Sequence, residues 1–499
     1  MFALAAVRSS RPLAVVASLL AIAGCSDRTA VRTIDLAPCR LESDTGLASV
    51  RADCGVLSVP ENRAEPQGKT LDLRIAVVPA ASREPAGEPL FVLAGGPGQA
   101  ATEFYAAYAP AFGRVQRTRD IVLVDQRGTG GSNPLRCPAP DESDLLAVET
   151  FDPEQLRTRA AECLAQLAGD PRFYTTSVAV DDLDAVREAL GYERIDLYGV
   201  SYGTRVAQHY LRRYPAHVRA MVLDGSVPPQ LILGPDTAPE AQRALEGILG
   251  RCEIDPRCHS AFPDLEDTFT SLLDRLREQP VTLSLADPTT ADTVEFDFGI
   301  EAFGAAVRLL SYSDETAALL PLLLHTAGAE GRFEPLAAQY LMVARRLGGQ
   351  LAEGMHNAVV CTEDVPFIDI DAATAPAITD TYLGTLQVQG LEAICSVWPR
   401  GVLDEDLHAP LAIEVPLLLL SGEFDPITSP GYAEQILAQA KDALHVIQRG
   451  HAHGQLGSRC ISGLIAEFLA TAAPDALDPG CALDAEPAAF FLDFTGAAP

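Results

Sequence analysis

The chain has 499 residues, 48% of them apolar and 21% charged, which excludes a disordered or coiled-coil chain and leaves room for a sizeable core. At this length one large domain, or a core carrying an insertion, is expected. Asp and Glu number 68 against 37 Lys and Arg, a formal net charge of −31, so the acidity reads as solubility and no nucleic-acid or phosphate-binding surface is expected.

At the N-terminus, Arg8 and Arg11 flank the start of an apolar run, Leu13 to Ala23, that is too short to span a bilayer as a stable helix. It ends in Ile22-Ala23-Gly24-Cys25, which resembles the bacterial lipobox. The resemblance implies cleavage before Cys25, lipidation of its thiol and export. Ser26 stands where lipoproteins kept in the inner membrane carry Asp, which implies the outer membrane, facing the periplasm or the cell surface. Residues 1–24 thus read as a lipoprotein signal peptide and 25–38 as a tether. No later segment reads as transmembrane.

Ten cysteines remain, an even number that points to disulfides in an exported chain. Sequence does not fix their connectivity. Pairing neighbours in order closes five short loops and is the expected pattern: Cys39–Cys54, Cys137–Cys163, Cys252–Cys258, Cys361–Cys395 and Cys460–Cys481. Cys252 and Cys258 lack a matching second pair, which makes zinc the weaker reading.

From about residue 70 to 230, apolar strands alternate with amphipathic helices, the pattern of a mostly parallel sheet covered on both faces. Strands are expected at Leu90–Leu93, Asp120–Val124, Arg194–Val200 and Val218–Leu223. Helices are expected from a Ser177 cap to Leu190 and from Tyr202 to Arg213. Residues 231–408 change to a mainly helical pattern, with Asp264–Arg277, Ile300–Leu310 and Thr316–Ala327 as helices and one hairpin, Val281–Leu285 with Val294–Phe298. Strand–helix alternation resumes at Val415–Leu420, continues through Leu444–Ile447 and reaches a helix near Gly463–Leu469. The economical reading is an α/β core in two parts, 39–230 and 409–499, interrupted by a cap at 231–408.

Gly199-Val200-Ser201-Tyr202-Gly203 follows a strand and opens a helix. In that context the glycines permit a sharp turn that lifts a nucleophilic hydroxyl above the sheet. The Tyr202 N–H then faces a developing oxyanion. A serine hydroxyl needs a base to take its proton, and the base needs a carboxylate to orient it. Downstream, Asp425 stands just past one strand, and the next strand leads to Gly450-His451-Ala452-His453-Gly454. Both histidines can take the proton; Asp224, at the end of an earlier strand, is the alternative acid. Gly95 or Gly96 can supply a second oxyanion donor, because a backbone without side chains approaches a carbonyl closely. Neither glycine-rich stretch has the lysine or spacing of a nucleotide loop, so no cofactor is implied, and no metal set is evident.

These motifs together resemble the proline iminopeptidase and tripeptidyl aminopeptidase group of α/β-hydrolases, in particular its exported bacterial branch with a tripeptidyl-aminopeptidase-like C-terminal region. The matching segments include Gly95-Gly96-Pro97-Gly98, Asp125-Gln126-Arg127-Gly128-Thr129-Gly130-Gly131-Ser132, Tyr198-Gly199-Val200-Ser201-Tyr202-Gly203-Thr204, Leu223-Asp224-Gly225 and Gly422-Glu423-Phe424-Asp425-Pro426. The resemblance implies an α/β-hydrolase fold with Ser201 as nucleophile, Asp425 as orienting acid and His453 as base, His453 standing seven residues before Cys460 as in the family. It implies oxyanion donors at Tyr202 and Gly96 and a peptide substrate. Its acidic segment Cys361-Thr362-Glu363-Asp364 implies that Glu363 or Asp364 holds the substrate ammonium. Ala94 departs from the pattern, standing where many iminopeptidases have His. A carboxylesterase or amidase with the same triad is the rival reading, and an inactive binding protein a third. Oligomeric state is not legible.

Overall fold

The computed structural model of the chain describes residues 33–43, 45–138, 151–288, 290–369 and 376–497; Arg8, Arg11, Cys25 and the first part of the expected tether lie outside them. In chain order the strands are β1 (Ala37–Glu42), β2 (Ser49–Pro60), β3 (Thr70–Val78), β4 (Leu90–Leu93), β5 (Ile121–Val124), β6 (Ile195–Val200) and β7 (Val218–Asp224). There follow β8 (Val281–Ala286), β9 (Thr293–Phe298), β10 (Leu417–Gly422) and β11 (Ala443–Gln448). Nine of them form one sheet in the order β1-β2-β3-β5-β4-β6-β7-β10-β11. From β5 to β11 all neighbours run parallel.

Helices cover both faces. Leu417 and Leu419 of β10, with Phe91 and Leu197, pack on one side with Val206 and Tyr210. Leu418 and Leu420, with Val92 and Tyr198, pack on the other with Phe104 and Phe468. A strand buried on both faces gains nothing from polar alternation, so β4, β5 and the first four residues of β10 are unbroken apolar runs, while β6 carries a buried Asp196 paired with Arg119 and Arg219. Between β7 and β10 the chain leaves the sheet as helices and the antiparallel β8–β9 hairpin. This insert has an apolar cluster of its own, built on residues such as Leu245, Phe269, Phe303 and Phe333. The ten cysteines are joined in chain order, Cys39 to Cys54 through Cys460 to Cys481.

The structure departs from the sequence expectations at four places. β3 is antiparallel to β5, and β2 and β1 extend that antiparallel edge, β1 starting at Ala37 inside the expected tether. Charged residues interrupt these outer strands, which need only one covered face. The expected Thr316–Ala327 helix is two, Asp314–Ala317 and Leu320–Ala329, because Pro321 fits a first helical turn but does not continue an earlier one. Ser177 is not a cap: Thr175 holds that position, and the buried Ser177 hydroxyl accepts from the Asp404 N–H at 2.9 Å. Finally, Phe490 lies in the insert's cluster and the Phe491 N–H donates to Ala318 O at 3.2 Å, so the end of the chain returns to the insert.

Candidate active site

The parallel strands all end on one edge of the sheet, the edge where open α/β sheets place their ligands. β6 pairs with β7 through Val200↔Asp224, and the next residue, Ser201, turns the chain into the helix Tyr202–Arg213. Ser201 has φ 55° and ψ −125°. Strain of this kind costs about 1–3 kcal/mol in a non-glycine residue and persists only where neighbours fix it. Here the Ser201 N–H donates to Asp224 O at 2.9 Å, and the Ser201 carbonyl accepts from the Thr204 N–H at 2.9 Å and Thr204 Oγ1 at 2.6 Å. The flanking glycines answer to close approach: a Cβ on Gly199 would lie 2.4 Å from Gly203 O, and one on Gly203 2.3 Å from Leu93 O.

β10 and β11 lie side by side, which brings the loops after them together. His453 Nδ1 donates to Asp425 Oδ2 at 2.7 Å. Asp425 Oδ1 accepts from the N–H groups of Ile427 at 2.9 Å and Thr428 at 2.8 Å, and Oδ2 also accepts from Thr428 Oγ1 at 2.8 Å. Asp425 is fully buried. Burial alone would raise its pKa, but the His453 charge and these hydrogen bonds outweigh it and hold the carboxyl below its usual range. At His453 burial favours the neutral ring, yet the Asp425 charge and hydrogen bond prevail and raise its pKa above the ordinary value.

The two competing residues are engaged elsewhere. His451 Nδ1 donates to Asp314 Oδ2 on the insert. Asp224 accepts from the Tyr198 hydroxyl at 2.7 Å and from the Gln455 N–H at 3.0 Å, and burial pushes its pKa up to about 6.

His453 also lies against the end of β7, where a Cβ on Gly225 would sit 3.0 Å from its Cε1. Gly225 follows Asp224, whose carbonyl holds Ser201 in place, so the ring and the serine occupy one corner. The Ser201 hydroxyl has no hydrogen-bond partner among the described residues, so its link to His453 is open in this conformation. Such bonds are often long without substrate and tighten in the complex.

The loop after β4 completes the corner. A Cβ on Gly95 would lie 3.0 Å from Ser201 Cβ and 3.6 Å from its Oγ. Among the described residues, neither the Gly96 N–H nor the Tyr202 N–H has a hydrogen-bond acceptor. The insert braces this loop: the Ala352 N–H donates to Gly98 O at 3.0 Å, and His356 Nδ1 donates to Pro97 O at 3.2 Å.

Glu363 and Asp364 do not present a free carboxylate. Both are fully buried. Glu363 accepts from the Thr176 N–H at 2.6 Å and Thr176 Oγ1 at 2.8 Å. Asp364 takes the Arg205 guanidinium through two contacts, at 3.0 and 3.1 Å, and the Leu233 N–H at 2.9 Å. Burial pushes the Glu363 pKa up to about 7, against the nearby Arg205 charge. Both carboxylates thus already have partners in the polypeptide, and an ammonium at either would share it with Thr176 or Arg205. Sequence reading missed Thr428, Asp314 and Tyr312; only Thr428, three residues after Asp425 in a turn that a carboxylate caps, leaves a local signal.

An alpha/beta hydrolase fold model matches residues 88–251, and a TAP-like protein model matches residues 380–481. Over 209 residues the chain is 29% identical to the Serine protease Hip1 of Mycobacterium tuberculosis, a match that covers 39% of this chain and 40% of that relative's length. Longer matches join it to the Tripeptidyl aminopeptidase of Streptomyces coelicolor, 24% identical over 87% of this chain and 84% of that one. The Carboxylesterase B of M. tuberculosis is 27% identical over 84% of each chain. With both models falling on the sheet, the strained serine turn and the loops after β10 and β11, the chain belongs to the α/β-hydrolase family and carries a TAP-like C-terminal region.

Proposed function

We propose that the chain is a serine peptidase that releases one or a few residues from peptide N-termini through an acyl-enzyme. Ser201 Oγ attacks the scissile carbonyl while His453 Nε2 takes its proton. The Asp425 carboxylate holds the ring by Nδ1 and stabilises the imidazolium. The N–H groups of Tyr202 and Gly96 receive the oxyanion. His453 then returns the proton to the leaving amine, and water releases the acyl group by the same steps in reverse order of partners. The observation that carries the reading is the Asp425–His453 hydrogen bond of 2.7 Å at the corner where Ser201 is held at φ 55°. Similarity to a tripeptidyl aminopeptidase over 87% of the chain favours peptides.

A carboxylesterase reading has observations of its own: the similarity to Carboxylesterase B over 84% of the chain, and the enclosure of Glu363 and Asp364 by internal partners. Aminoacyl, tripeptidyl and N-blocked amide reporters, set beside p-nitrophenyl esters, separate the two. The peptidase reading expects kcat/KM for free-amine peptides to exceed that for their N-blocked counterparts. Ester turnover without any amide cleavage would transfer the reading to the esterase.

The segment 1–24 is proposed as an export signal and Cys25 as a lipid anchor, supported by five disulfides of the kind an oxidising compartment preserves. No helix among the described residues is long and apolar enough to cross a membrane.

A further inference from the structure

The loop that carries His453 is bonded to the insert at three successive residues. Asp314 opens the short helix Asp314–Ala317, and its carboxylate straddles the loop: Oδ2 accepts from His451 Nδ1, and Oδ1 accepts from the Ala452 N–H at 2.7 Å. Two residues earlier in the insert, the Tyr312 carbonyl accepts from the His453 N–H at 3.1 Å. The Tyr312 ring then meets the His453 ring edge to face, with centroids 5.7 Å apart and planes at 74°. The Asp425 loop is drawn into the same assembly, because the Phe424 N–H donates to His451 O at 2.9 Å.

These contacts come from a different part of the fold than the ring's carboxylate partner: Asp425 follows β10 of the sheet, whereas Asp314 and Tyr312 belong to the insert. A triad needs its base fixed both in translation and in ring orientation, and Asp425, with Thr428 Oγ1 3.1 Å from the same nitrogen, holds the ring at Nδ1 alone. The backbone of residues 451–453 sets where that pivot stands. A carboxylate that accepts from two groups of the loop is a stronger anchor than a single neutral bond, because a charged acceptor strengthens both.

We infer that Asp314 is a positioning residue for the base His453, acting through His451 and Ala452, so that docking of the insert and competence of the nucleophile are coupled. This rests on the serine-hydrolase reading above. It also gives His451 a task distinct from proton transfer: it presents a donor to the insert. Asp314 itself touches no reacting atom. Its side chain is 28% exposed, so its replacement is absorbed without opening a core.

The experiment is inactivation by a fluorophosphonate probe of the full chain, of Asp314→Ala, of Asp314→Asn and of His451→Ala, with kinact and KI resolved and thermal unfolding recorded for each. Asp314→Ala should lower kinact between about 10- and 100-fold, the cost of a base displaced by a fraction of an ångström to an ångström, with KI held within about twofold. Asp314→Asn keeps an acceptor for the Ala452 N–H and should recover part of the loss. His451→Ala should fall between wild type and Asp314→Ala. Unchanged kinact in Asp314→Ala, or a loss confined to KI, overturns the inference while leaving the hydrolase reading intact. If Asp314→Ala does not fold, His451→Ala decides, and unchanged kinact there overturns it equally. A wild-type chain that does not react overturns both.

Discussion

On the proposed mechanism, Asp425 and His453 set the pH at which the site works. Asp425 is held ionised below the usual carboxylate range, whereas His453 is raised, so the pair holds its proton on the ring more tightly than a free histidine does. The ring must be neutral to accept the Ser201 proton. Raising its pKa therefore moves the onset of activity upward: kcat/KM should fall with decreasing pH through a midpoint above about 6.5, the ordinary histidine value. A pH profile of kcat/KM measures this directly, and a plateau that persists below that value would contradict the assigned base. The same coupling has a stability sign. A raised histidine pKa stabilises the fold below the unfolded value, and that contribution is lost as pH rises through the folded one. The choice between His451 and His453 was open in the sequence, since both stand near glycines in one short segment. What separates them is a partner 28 residues away for His453 and one 137 residues away for His451, neither of which spacing alone identifies.

The turn from β6 into the helix Tyr202–Arg213 holds the proposed nucleophile, and its glycines are required by backbone contact. Leu93 O would lie 2.3 Å and Ala94 O 2.7 Å from a Cβ on Gly203, so helix and strand β4 pack without room for a methyl group. Gly203→Ala should destabilise the fold by about 1–3 kcal/mol, the range for overpacked cores, and lower activity through displacement of Ser201 and the Tyr202 N–H. Denaturant unfolding beside kcat measures both; an unaltered midpoint with full activity would show that the turn yields freely. The helix Tyr202–Arg213, the β8–β9 hairpin and the central strands were legible in the sequence because periodicity, flanking glycines and unbroken apolar runs all pointed one way. The antiparallel edge β1–β2 was not, since one-sided burial leaves only a weak alternation among charged residues. Glu363 and Asp364 show a different limit. An acidic pair invites a ligand-binding reading, and only the tertiary structure reveals Thr176 and Arg205 already bonded to it.

Taken whole, the molecule builds its site from three distant parts of the chain and braces it from a fourth. The sheet delivers Ser201, Asp425 and His453 to one edge. The insert holds the glycine loop through Ala352 and His356 and the histidine loop through Tyr312 and Asp314. Cys361–Cys395 lies within that insert, while Cys460–Cys481 ties a sheet-packed helix to the segment that follows it. The interpretation stands or falls on whether one serine is activated by one histidine in this assembly. Mass spectrometry of the fluorophosphonate-treated chain, with and without His453→Ala, answers it. A single phosphonyl adduct on the peptide containing Ser201, formed in wild type and slowed by on the order of 10³-fold or more in His453→Ala, is the expected result. An adduct on another serine, or equal labelling of Ser201 without His453, would contradict it.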